Sequence, residues 1–138
     1  MEATQGILLD TSVLFSKGFK NLLGKKLFIN DSVILEYLNV MIDLRDEERE
    51  KGEIDRAKGR EDQLRYFPQL VRENEIILGG NLSIDQLELA TKLILERQVD
   101  PGDAIISIWT GDRRMEVATR DDDFDRLTDI CSILKITV

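Results

Sequence analysis

The sequence contains no histidine. That excludes Ser-His-Asp and Cys-His nucleophilic sites and any acid–base pair built on imidazole. Its single cysteine, Cys131, excludes an internal disulfide. Without imidazole it also excludes the usual nitrogen- and sulfur-ligated zinc site. A lone thiol reads as a small buried hydrophobe and fits a reducing, cytoplasmic setting. No apolar run reaches the roughly 18 residues that cross a bilayer, and the N-terminus carries no signal-peptide pattern. Internal repeats and low-complexity segments are also missing. What is left for chemistry is carboxylate, hydroxyl, lysine and arginine, and carboxylate oxygens suit magnesium and manganese.

The 138 residues, 42% apolar and 33% charged, predict one soluble domain spanning 1–138 with a single real core. A net charge of −8 argues against broad nonspecific binding to nucleic acid. It does not exclude a nucleic-acid substrate, because cations held by an acidic cluster invert its local field.

Strands and helices alternate along the chain. Gly6 to Leu9 reads as a short strand buried on both faces, running into Asp10. Thr11 and Ser12 then offer hydroxyls to cap a helix. Leu27-Phe28-Ile29 predicts a second strand, with Asn30, Asp31 and Ser32 opening the helix that follows. That helix carries Val33, Ile34, Leu35, Leu38, Val40, Met41 and Ile42 as expected core, with Glu36 set between the large residues Leu35 and Tyr37. Glu75 to Leu78 predicts a third strand ended by Gly79-Gly80. Ser83 and Gln86 form a capping-box pattern for a helix to about Glu96, with Leu87, Ala90 and Ile94 as its core stripe. Asp100 and Pro101 start a further helix, with Asp103 in its first turn. Glu116 to Ala118 predicts a fourth strand, followed by Thr119-Arg120-Asp121-Asp122-Asp123-Phe124, and Ile133 to Val138 a fifth.

Two stretches stand out by charge. Lys17, Lys20, Lys25 and Lys26 make the densest purely basic run, and Lys25 and Lys26 are the candidates for phosphate contact. Between Asp43 and Arg65, nine acids and seven bases alternate. This predicts two exposed helices projecting from the core, with Gly52 and Gly59 as breaks. Leu64, Phe67, Leu70 and Val71 follow at helical spacing, for packing or for a dimer contact.

Alternating strands and helices imply an α/β fold, a mainly parallel five-stranded sheet in a three-layer α/β/α arrangement. In such sheets ligands bind beyond the carboxyl ends of the strands. Asp10 and Asp121 fall at that edge, and Glu36 and Asp103 fall in helix turns that begin there. Four acids from remote segments thus converge.

These residues carry a resemblance to the PIN-domain nucleases. It lies in Leu8-Leu9-Asp10-Thr11-Ser12-Val13-Leu14, in Ser32 with Glu36 four residues on, in Asp103-Ala104-Ile105-Ile106, and in Thr119-x-Asp121-x-Asp123-Phe124. The resemblance implies that Asp10, Glu36, Asp103 and Asp121 hold one or two Mg2+ or Mn2+ ions. Asp123 would be an additional or outer acid. Thr119 would orient Asp121 or a metal-bound water, and Ser12 and Ser32 would support. Asp122 matches no position of the family and is expected to face solvent. The implied activity is a metal-dependent endoribonuclease of the kind found as the toxin of a toxin–antitoxin pair, a homodimer restrained by an antitoxin protein. The rival is a PIN fold that no longer cuts and serves as an RNA- or protein-binding module. An aspartyl-nucleophile phosphatase would want an acid at position 12, which is Ser12. A phospho-acceptor receiver domain would want an acidic pair before the first helix, which is absent.

Overall fold

The N-terminal strand lies at the centre of the sheet rather than at an edge. In the computed structural model, which describes residues 6–79 and 82–137, β1 (Ile7–Leu9) is flanked by β2 (Leu27–Ile29) and β4 (Glu116–Thr119). The edges are β3 (Ile77–Leu78) and β5 (Ser132–Lys135), giving the order β3-β2-β1-β4-β5. Every pairing is parallel, so all strand ends that carry acids face one edge. Helices cover the sheet in a three-layer α/β/α arrangement. Ile7, Leu8 and Leu9 are all buried, as a central parallel strand requires. β3 is shorter than expected and β5 begins one residue earlier, ending at Lys135. Gly80 and Val138 lie outside the described residues.

A short helix, α1 (Thr11–Leu14), follows β1, and a 3-10 segment spans Lys17–Leu22. After β2, Asn30 caps α2 (Asp31–Glu50), its side chain accepting from the Val33 amide at 3.0 Å. Of the expected apolar set, Val33 and Met41 are buried and Ile34 and Leu38 pack against the core. Leu35 and Ile42 are instead exposed, Leu35 by 61%. Seven apolar residues within ten positions cover more of the circumference than one side of a helix can bury.

Gly52, at φ +78°, forms the turn between α2 and α3 (Ile54–Glu73), which run as a hairpin. Gly59 is not a break: it lies inside α3, where a glycine costs only about 1 kcal/mol against alanine. The charged stretch is the far end of this hairpin. Ala57 is buried there, Arg60 Nε donates to Glu48 Oε1 at 2.9 Å, and Arg49 pairs with Glu61. Glu48 is only 7% exposed, so its partner matters more than a surface pair would. Arg60→Ala is expected to lower stability by about 1–3 kcal/mol in chemical denaturation, by leaving that carboxylate buried and unpaired. Further along α3, Phe67 is buried and Leu64, Leu70 and Val71, partly buried, pack on the core.

The capping box opens α4 (Ile84–Arg97) as expected, with Ser83 Oγ accepting from the Gln86 amide at 3.1 Å. Of its expected stripe, Ala90 is buried and Ile94 packs against the core, whereas Leu87 is exposed and Gln86 and Leu93 are buried beside them. Asp100 caps α5 (Pro101–Asp112), whose Ala104, Ile106, Ile108 and Trp109 are core. A second 3-10 segment, Asp123–Leu127, buries Phe124 and Leu127.

Candidate active site

Because β1 and β4 are paired in register, Leu9 with Ala118, the residues that follow them lie side by side. The Asp10 amide donates to Ala118 O at 2.9 Å, which brings Thr119 beside Asp10. Asp10 stands at the N-cap of α1, yet its side chain makes no capping bond. Its Oδ2 accepts instead from Ser12 Oγ at 3.0 Å and from Thr119 Oγ1 at 2.9 Å. Each hydroxyl has one proton and gives it to Oδ2, so their mutual approach of 3.4 Å is a contact, not a hydrogen bond. Both oxygens also accept: Ser12 Oγ from the Arg120 amide at 3.0 Å, and Thr119 Oγ1 from the Asp121 amide at 3.1 Å. The carboxylate, 3% exposed, is thereby fixed to the loop after β4. Ser12 does not cap the helix as expected. Thr11, its first residue, has a buried Oγ1 without a partner in hydrogen-bonding geometry, although the hydroxyl is near enough to Glu36 to draw that acid's pKa down.

Asp10, Glu36, Asp103, Asp121 and Asp123 line one cleft of about 560 Å3, and Ser32 lines it with them. Glu36 comes from the second turn of α2 and Asp103 from the first turn of α5. The cleft also takes in Asn39, Asp43, Asp100 and Gly102, which the sequence reading did not single out. Asn39 and Asp43 were legible as the next helical turns after Ser32 and Glu36. Gly102 is needed for closeness: a Cβ there would meet Ser32 Oγ and Asp100 Oδ2 at 3.0 Å each. Asp122 is exposed but not free, since Lys135 Nζ donates to its Oδ1 at 2.6 Å. The same ammonium donates to Asp121 O at 2.7 Å, so β5 pins the acidic loop from below.

Burial and mutual repulsion act together on these acids. Asp103 is pushed up to about 7, first by burial, then by Asp10, Asp100, Asp123 and Glu36. Glu36 is raised by burial and by Asp10, with smaller contributions from Asp100 and Asp121. Asp121 is raised by burial, Asp10 and Asp123, against the lowering effect of Lys135 and Arg120. Such a cluster of raised carboxylates in a cleft marks a functional site more often than a structural one.

Lys25 and Lys26 are not part of it. They precede β2, and Lys26 O accepts from the Ile7 amide at the opening of β1, so both sit at the amino edge of the sheet. Lys26 Nζ rests over the Phe28 ring at 5.6 Å. The sheet separates them from the cleft, because parallel strands put their starts and their acid-bearing ends at opposite edges. Replacing both lysines with glutamine is expected to leave any activity of the cleft, and the salt dependence of that activity, unchanged in rate measurements across an ionic-strength series.

The PIN domain model matches residues 7–130. The chain belongs to the PIN domain family. Among solved structures, this PIN domain is similar to PAE2754 from Pyrobaculum aerophilum, at a TM-score of 0.68 and 16% identity over 93% of this chain and 88% of that one. It is also similar to DNA-bound VapBC from Salmonella typhimurium, at a TM-score of 0.58 and 15% identity over 94% and 97%. No curated protein gives a significant match. PIN domains are in general nucleases, usually dependent on divalent metal ions. The donor set suits such ions: the cleft is lined by carboxylates, and the upward shifts of Glu36, Asp103 and Asp121 show a site that positive charge would relieve. As the side chains stand, no group of three or more acids among the described residues is gathered tightly enough to hold an ion.

Proposed function

We propose that this PIN domain is an endoribonuclease that hydrolyses RNA phosphodiester bonds with Mg2+ or Mn2+. The observation that carries this is Asp10. It occupies a helix-capping position without capping, and two hydroxyls hold its carboxylate at the floor of a cleft walled by Glu36, Asp103 and Asp121. In this reading Asp10, Glu36, Asp103 and Asp121 hold the metal, with Asp123 as an outer ligand at the rim. Bound metal would supply phosphoryl polarisation and a water of lowered pKa. Ser12 and Thr119 keep Asp10 in one orientation, and Lys135 keeps the Asp121 loop in place. Asp103, pushed up to about 7, would have to release its proton for a cation to be held there.

The fold likeness to VapBC supports a further step, that the chain is the toxin of a cytoplasmic toxin–antitoxin pair. Its partner would then be an antitoxin that inserts cationic side chains into the acidic cleft, and the toxin itself a homodimer. The deciding experiment incubates the purified chain with unstructured RNA. Fragments are expected with Mg2+ or Mn2+ and none with EDTA. RNA left intact with both metals overturns the nuclease assignment, and binding without cutting would favour the inert module instead.

A further inference from the structure

Thr11 directly follows Asp10, opens α1 and is only 3% exposed. Its Oγ1 is buried and has no bonded partner among the described residues. A hydroxyl shut away from water in this way loses its hydration for no return, and valine would fill the same volume without that penalty. The orphaned proton points to an acceptor that is close but not engaged. Glu36 is in that position. The Phe15 amide donates to Thr11 O at 3.3 Å, which sets Thr11 and Phe15 one turn apart on the same side of the chain. The Phe15 ring stacks on Tyr37 with centroids 4.9 Å apart, and Tyr37 directly follows Glu36. The side of α1 that carries Thr11 is thus the side that packs on α2. Burial and Asp10 raise the Glu36 carboxyl, and the Thr11 hydroxyl pulls it down, as a donor does only at close approach.

Charge keeps the pair apart. Asp10 adjoins Thr11, so a Glu36 carboxylate that closes on the hydroxyl also closes on a like charge. A cation between the two carboxylates removes that obstacle. We propose that Thr11 is the positioning residue for Glu36: with a divalent cation in the cleft, one Glu36 oxygen accepts from Thr11 Oγ1 and the other faces the ion. The latch then forms only in the filled site, which agrees with the loose spacing of the acids as they stand. This rests on the metal-dependent reading above and not on RNA as the substrate.

The test titrates the full chain with Mn2+ alone by calorimetry and compares melting temperatures in EDTA. Thr11→Val is expected to melt in EDTA no lower than the parent, yet to bind Mn2+ about tenfold more weakly. That is the scale on which losing a hydrogen bond to a metal-ligating side chain acts. Thr11→Ser keeps the hydroxyl and is expected to bind Mn2+ within about twofold of the parent. On a Glu36→Ala background, Thr11→Val is expected to add little further loss, because the two act through one bond. Parental Mn2+ affinity in Thr11→Val overturns the assignment, as does an equal loss in Thr11→Ser or an undiminished loss on the Glu36→Ala background. A lowered EDTA melting temperature for Thr11→Val also overturns it, since the hydroxyl would then be bonded in the metal-free protein. All of these leave the metal-dependent reading standing; a parent chain that binds no Mn2+ fails that reading and takes this inference with it.

Discussion

Asp10→Asn will abolish cleavage while leaving the protein folded. The expected loss is at least about a hundredfold in single-turnover rate, the scale seen when one group of a preorganised electrostatic site is removed. The fold should survive because an amide oxygen can still accept from Ser12 and Thr119, the two hydroxyls that hold the present carboxylate. Without metal the variant should be no less stable than the parent. Asp10 raises the pKa of Glu36, Asp103 and Asp121, so its charge is a shared source of repulsion. Cleavage gels and thermal melts in EDTA, run side by side, check both halves. A variant that cuts at the parental rate would remove Asp10 from the centre of the site.

The second large effect is on stability, through pH and metal together. Asp103 stands at about 7 in the folded chain against an ordinary 3.8. Between those values the native state binds more protons than the unfolded one, so stability falls as pH rises. The contribution is full below the ordinary value, declines across about pH 4 to 7, and is flat above. Glu36 and Asp121 act in the same direction, whereas Asp122 and Asp129, lowered by Lys135 and Arg97, favour the native state once ionised. In EDTA the melting temperature is therefore expected to drop from pH 5 to pH 8, and Asp103→Asn to remove most of that drop. Saturating Mg2+ or Mn2+ should reverse it. A hundredfold excess over the dissociation constant gives about 2.7 kcal/mol, on the order of 10 °C for a chain this size. The gain should be larger at pH 8 than at pH 5, where protons compete for the same oxygens. Absence of any shift at pH 8 with either ion would exclude a divalent site.

The sequence made the acid-bearing edge legible because it depends on strand direction alone. An apolar triplet followed by Asp10, and a second short strand followed by Thr119 and Asp121, put those residues at one edge once the sheet is parallel. Direction would equally have assigned Lys25 and Lys26, which precede a strand, to the opposite edge. Helix faces were less legible. Leu35 and Ile42 were expected in the core because apolar residues are abundant on α2, but their angular position turns them outward. Leu35 lines the cleft beside Glu36, Asn39 and Asp43. Gly59 looked like a stop because glycine is a weak helix former; pairing of α3 along α2, with Ala57 and Glu48 buried between them, outweighs that cost. The role of Ser12 was invisible, since the Arg120 amide and Asp10 that occupy its hydroxyl meet only after folding.

The central position of β1 has a consequence for synthesis. Leu9 finds its neighbour in Ala118, and the hydroxyl that orients Asp10 belongs to Thr119, more than a hundred positions further on. A growing polypeptide on the ribosome thus carries Asp10 long before Thr119 and cannot complete the pocket until β4 has emerged. Fragments that end before β4 would keep Asp10 but lack the hydroxyl and the neighbouring strand that orient it.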